Sequence, residues 1–304
     1  MTASIAERLR ALPQSRYAID REIDAIGPFE RVLAHDRERG AAVVLHVAPA
    51  DAGPSLARIA QAAALRHPHV LEITDHGEAA GHLFFATPYT AAVSLRTWLD
   101  RETRLPILES VRVLRETAEA LRFAHARGVV HGALGPASVL WIETHVRLTG
   151  YSFAPEPESP AADVRALGEI GYEVLSGRPP GPAVPRPPVN ALRSPLPPGL
   201  AALVTRCLGP DPPGIDEAVR LLRGLVTPAP GYEPMQLVRQ ARYLLARGDA
   251  PAALDRLRRA ADSAPASAEI REEIAALSAG IPAPDPPAER ACAAPGDVEA
   301  RADD

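Results

Sequence analysis

The feature that most constrains the fold of this chain is a change of hydrophobic period near Ser94. Before it, ERVLAHD and AAVVLHVAP are two apolar, alternating runs separated by the turn-like RERG, a pattern that predicts two antiparallel strands after an opening strand from Tyr17. LARIAQAAALRHP then spaces its apolar residues as a helix and ends before Pro68, and HVLEITDHGE and GHLFFATPY predict two more strands. The expected order is β-β-β-α-β-β. From Ser94 to Val226 the period lengthens to that of amphipathic helices, in ILESVRVLRETAEALRFAHARG, DVRALGEIGYEVLSG and LAALVTRCL, with only VLWI and VRLTG as short strands. A strand-rich front joined to a helix-rich back argues for an α+β protein of two lobes, whose cleft is the natural ligand site.

Proline punctuates the back of the chain. It recurs so often from Gly177 to Gly199 that no long helix fits there, and TPAPGYEP reads as a linker. Beyond it a helix, the Gly248-Asp249 turn, a second helix and EIREEIAALSAG predict a short all-α module. The expected organisation is an extension over 1–15, a two-lobed domain over 16–226, a linker over 227–233, the helical module over 234–280 and a disordered tail over 281–304.

Composition removes several functions. All 33 basic residues are arginine, so any mechanism that needs a lysine amine is excluded. A net charge of -5, without a long basic run carrying aromatics, disfavours nucleic acid. No apolar run approaches the roughly 18 residues of a membrane helix, and no signal-peptide core is seen, so a cytoplasmic protein without membrane contact is expected. Cys207 and Cys292 read as two free thiols. His35, His67 and His69 are too scattered to suggest a metal site, and neither metal nor cofactor is expected.

The region from about 16 to 226 resembles the bacterial eukaryotic-like Ser/Thr protein kinases. RYAIDREI is similar to their opening strand, LRHPHVLEITDHGE to the exit of helix αC and the fourth strand, and GHLFFATPYTAAVSL to the fifth strand and hinge. FAHARGVVHGALGPASVL is similar to their catalytic loop and DVRALGEIGYEVLSGRPP to their helix αF. The resemblance implies that His131, Leu134 and Pro136 frame the loop, that Asp163 anchors its backbone and that Tyr89 closes the hinge. It also implies Thr87 as gatekeeper and Leu140 as the floor of a residual adenine pocket.

The same alignment puts unexpected residues at the chemical positions. Asp24, Ile26 and Phe29 fall where three glycines would let backbone approach phosphate, with Phe29 able to fold inward. His46 takes the place of the strand lysine and Arg58 that of its glutamate partner, so no ion pair can form. Ala133 stands for the base, Gly135 for the loop lysine, Ser138 for the metal-binding asparagine, and Gly150-Tyr151-Ser152 for the DFG motif. Arg31 is the nearest basic substitute. Ten residues between Ser152 and Asp163 leave no room for an activation segment, and the proline-rich stretch falls where helix αG would dock partners.

The C-terminal region resembles one tetratricopeptide repeat, with Pro234 as its first position, Ala241, Ala253 and Ala260 at the small-residue positions, Leu237 and Leu244 as packing side chains, and Pro265 near its end. It is expected either to pack on the lobe as a structural extension or to serve as a short peptide-binding or dimerising module. The reading as a whole is a pseudokinase, not an enzyme and without ATP binding, acting as a scaffold or allosteric regulator of a protein partner such as an active kinase or its substrate. The alternative is an atypical enzyme or a nucleotide-binding protein on the kinase fold.

Overall fold

A computed structural model describes residues 16–279 apart from 80, 91, 143–144, 157, 182–186, 194–195, 198, 226–231, 247 and 266–267. The extension, most of the linker and the tail therefore lie outside the described residues. So does Cys292.

Five strands form one antiparallel sheet: β1 (Tyr17–Ile26), β2 (Phe29–Asp36), β3 (Ala41–Pro49), β4 (Asp75–Ala79) and β5 (His82–Pro88), in the order β1-β2-β3-β5-β4. Gly27, at φ 57°, lets β1 and β2 reverse over a two-residue turn that ends on Pro28. Alternation along the strands gives each face its own core. Tyr17, Val32, Ala34, Val43, Leu45, Val47, Phe84 and Ala86 form one cluster, while Phe29, Ala48, Leu83 and Phe85 join the main core with α1 (Leu56–Ala63).

The predicted change of period is present in the chain. A three-stranded sheet of β6 (Val93–Ser94), β7 (Val139–Ile142) and β8 (His145–Leu148) accompanies α2 (Leu95–Glu102) and α3 (Ile107–His125). Then come α4 (Pro160–Ser176), α5 (Val189–Leu192), α6 (Leu200–Cys207) and α7 (Ile215–Arg223). Helix α3 runs through the centre, with Val113, Ala118, Ala120, Leu121 and Ala124 fully buried. Close packing explains two glycines of α4. A Cβ at Gly168 would lie 2.5 Å from Cys207 Cβ, and one at Gly171 2.9 Å from Val204 Cγ2, so the glycines admit α6. The sheet region is tied to the helices by backbone bonds from Leu71 to Leu148, Leu148 to His69, and Ser55 to Phe153.

The proline-rich stretch keeps one four-residue helix, α5, among its described residues. After it, α8 (Tyr232–Ala246), α9 (Ala250–Ser263) and α10 (Ala268–Ser278) pack together. Ala241, Ala253 and Ala260 are fully buried, as small residues are where helices approach closely, and Leu237, Leu244 and Leu257 join the main core. The Gly248-Asp249 turn forms as expected: Gly248 has φ 78°, and the Asp249 carboxylate accepts a bond from Ala252 N–H at the start of α9. Among the described residues no helix is long and apolar enough to cross a membrane.

Candidate functional site

A cavity of about 1260 Å³ opens between the five-stranded sheet and the loops around β7. Its framework is the segment His131–Ser138. The carboxylate of Asp163, on the first turn of α4, accepts bonds from His131 N–H and Gly132 N–H, both at 2.8 Å, and from His125 Nε2 at 2.7 Å. Burial works against its charge, but these donors outweigh burial and hold its pKa below the usual carboxylate range. His131 is fully buried. Its Nδ1 accepts from Ala133 N–H, so the proton sits on Nε2, which donates to the Thr149 carbonyl at 3.0 Å. Burial pushes this imidazole down to about 4, so it is neutral at pH 7. The Tyr151 ring lies 4.4 Å from it.

The opposite wall is built from the sheet and is aromatic. His46 on β3 is paired in register with Phe85, and the two rings stack at 4.2 Å and 10°. His46 Nε2 lies 3.3 Å from Thr87 Oγ1. Burial, with a smaller push from the Arg31 guanidinium, takes its pKa down to about 3. It is therefore a neutral, stacked ring. Phe29, Phe85 and Phe153 meet edge to face at 5.1–5.8 Å, so Phe29 does turn inward, yet the cavity beside it stays open.

The structure gathers most of the residues singled out from sequence. Phe29, Arg31, His46, Thr87, Tyr89, Ala133, Gly135, Ser138, Leu140 and Gly150 all line this one cavity. Ser138 Oγ is spent locally on Gly135 N–H and carbonyl. Arg58, on α1, is not a lining residue, and Asp24 and Ile26 are placed in β1 by their backbone only, their side chains lying outside the described residues. Among the described lining residues Arg21, Arg31 and Asp249 carry charge.

Three parts escaped the sequence reading. Phe85 and Phe153 had no motif to mark them. Leu244, Gly248 and Asp249 of the helical module border the same cavity, which periodicity cannot reveal because it gives a helix's apolar face and not its docking site. The third is histidine placement. His69 is not isolated, since its ligand atom, that of His145 and the Glu116 carboxylate lie within 4.8 Å of one another. The reading of scattered histidines is corrected for His69. Glu116 already accepts from Arg112 Nε at 2.9 Å and from Val146 N–H at 2.8 Å, so its charge is answered by a guanidinium.

No protein-family model matches the chain. It is similar to the Ser/Thr-protein kinase PknI of Mycobacterium tuberculosis and Mycobacterium bovis, 31% identical over 160 residues, 44% of this chain and 27% of the relative. PknA of Mycobacterium tuberculosis is 28% identical over 195 residues, 52% of this chain and 43% of the relative. A probable Ser/Thr-protein kinase of Bifidobacterium longum is 33% identical over 94 residues, 31% of this chain and 12% of the relative. The chain thus spans less than half the length of these relatives. Their names correct one expectation: the sequence reading excluded enzymatic activity, whereas Ser/Thr protein kinases are enzymes. Residue types at aligned positions are too narrow a basis for that exclusion, because chemistry follows from where charges and bases sit in space. The α+β order of the lobes and the anchored loop agree with these similarities, and over about half of its length the chain is homologous to bacterial Ser/Thr protein kinases.

Proposed function

We propose that this kinase-like protein acts by binding, as a scaffold or allosteric regulator of a protein partner such as an active kinase or its substrate. The observation that carries the reading is the cleft wall at His46. A neutral ring stacked on Phe85 and bonded to Thr87 offers no charge to a triphosphate, and Ala133, Ser138 and Gly150 offer no carboxylate for magnesium. In this reading the loop framework keeps the lobe rigid, and the helical module, a tetratricopeptide-like unit, extends the surface presented to the partner.

A second reading is favoured by the open cavity and by the relatives' names: nucleotide chemistry by an atypical arrangement on the same fold. Thr87 and Leu140 both line the cavity and leave space for a base. Thermal unfolding with increasing MgATP separates the two, because a ligand that binds only the native state must raise the melting temperature. The binding role predicts no concentration-dependent rise with MgATP, and retention of one protein by immobilised full-length chain whether or not MgATP is present. A rise in melting temperature, together with transfer of label from ATP to a generic Ser/Thr substrate, would replace it by the second reading.

A further inference from the structure

A second cavity, of about 320 Å³, lies where the turn between α2 and α3, the residue that follows α5, and helix α8 come together. Its polar lining is Trp98, Glu102, Arg104, Arg193 and Arg239. Three guanidiniums from three separate parts of the chain thus converge on one space, with Glu102 on its wall and Glu109 beside it as the facing carboxylates. Two of the arginines are held in place. Arg239 Nη1 donates to Glu109 Oε1 at 2.5 Å, and Arg193 Nη1 donates to the Leu105 carbonyl at 2.5 Å and more weakly to that of Leu175. The third, Arg104, is exposed, with its side chain unbonded among the described residues. Burial and the neighbouring Arg104 charge both act against the charge on Arg193.

Two further features distinguish this place. The first is an unanswered donor: Trp98, which lines the cavity, is 6% exposed, and its buried indole N–H has no hydrogen-bond partner among the described residues. Buried donors left unpaired are rare and costly, and an oxygen entering the cavity would answer this one. The second is backbone strain. Thr103 sits at φ 60° and ψ -44°, the only non-glycine residue at positive φ among those described, while Arg104 N–H reaches back to the Glu102 carbonyl at 2.6 Å. This is a γ-turn of the rare, strained kind, and strain of this sort persists where the surroundings over-determine it. Here they do: Gly177 packs so close that a Cβ there would stand 2.9 Å from Thr103 Cγ2 and 3.1 Å from its carbonyl oxygen. Arg104, the residue that follows the turn, lines the cavity.

We infer that this cavity is a binding site for a phosphate monoester, with Arg104 and Arg193 supplying charge, Trp98 Nε1 a neutral donor, and Arg239 the link to the helical module. Planar guanidiniums match phosphate oxygens in pairs, and a dianion suits several guanidiniums better than a single carboxylate does. A bound phosphate would tie the α2–α3 turn to α8. The docking of the helical module and the occupancy of the site would then reinforce one another.

The test uses the full chain at constant ionic strength, with inorganic phosphate as the first probe and the two indole N–H resonances, Trp98 and Trp141, as the readout; Trp98→Phe assigns them. A saturable shift of the Trp98 resonance is expected, with apparent affinity about tenfold weaker in Arg104→Glu and largely kept in Arg104→Lys. Glycerol 3-phosphate and a short blocked phosphoserine peptide then distinguish a small phosphate ester from a phosphorylated chain as the source. Absence of saturation up to tens of millimolar phosphate overturns the assignment. So does binding that survives Arg104→Glu unchanged, or binding abolished by Arg31→Ala, which would put the anion in the large cleft. Arg104 is exposed, so its variants are expected to fold, and an unchanged unfolding curve makes each result decisive.

Discussion

The two walls of the cleft are buried to a similar degree and built on opposite principles. The loop wall is polar and answered: Asp163 takes three donors, His131 uses both ring nitrogens, and Ser138 closes on Gly135. The sheet wall is aromatic and neutral, with His46 serving as a flat ring among Phe29, Phe85 and Phe153. A buried hydrogen-bonded carboxylate fixes a loop only while every donor keeps its partner, whereas a ring cluster tolerates change of polarity if volume is kept. The difference teaches where this chain is rigid by bonding and where by packing.

The largest test of that contrast is Asp163→Ala. It strands two backbone N–H groups and His125 in a buried site, and a loss of about 3–5 kcal/mol of stability is expected from urea unfolding. Asp163→Asn, which retains an acceptor but not the charge, should lose less. If Asp163→Ala is tolerated as well as His46→Phe, the loop is held by packing too, and the contrast fails.

Titration tests both walls together and ranks next. His131 and His46 are held in the fold at about 4 and about 3, below the unfolded value of about 6.5. Because both folded values are depressed, their stabilisation is complete above pH 6.5 and is lost as pH falls toward the folded values. Each histidine contributes a slope of about 1.4 kcal/mol per pH unit in that window. His67, also lowered chiefly by burial, adds a share, and Asp163, depressed as well, adds its loss only below about pH 4. His46→Gln should flatten the stability curve between pH 6.5 and 4 and leave the His131 share. An unchanged slope would mean that His46 is hydrated.

How much of this was legible varies with the range of the information. The change of period near Ser94 and the order of elements are local properties and could be read directly. Asp163 and His131 were legible through the kinase resemblance, which carries a position and its partner together. Phe153 was not, because an aromatic just after Gly150-Tyr151-Ser152 signals only burial, and its partners Phe29 and Phe85 come from β2 and β5, distant in sequence from its loop. The same holds for Glu116 beside His69 and His145: residues from a loop, a helix and a strand meet only when α3 docks on β8. Arg104 and Arg193 are illegible in the same way, since they line one cavity from distant parts of the sequence.

The smallest expected effect is the most pointed. Thr87→Val removes one hydroxyl, 3.3 Å from His46 Nε2, at nearly constant volume. Loss of a single buried hydrogen bond predicts destabilisation of about 1 kcal/mol. If the sheet wall is held by ring packing, that loss comes from the His46 nitrogen left unanswered, and His46→Phe in the same chain should cancel most of it. The double-mutant cycle then gives a coupling about as large as the single loss. If the two losses simply add, the hydroxyl matters to something other than His46, and the sheet wall is bonded in the manner of the loop wall after all. Stability measured at pH 7, where both imidazoles are neutral, keeps the comparison free of histidine titration.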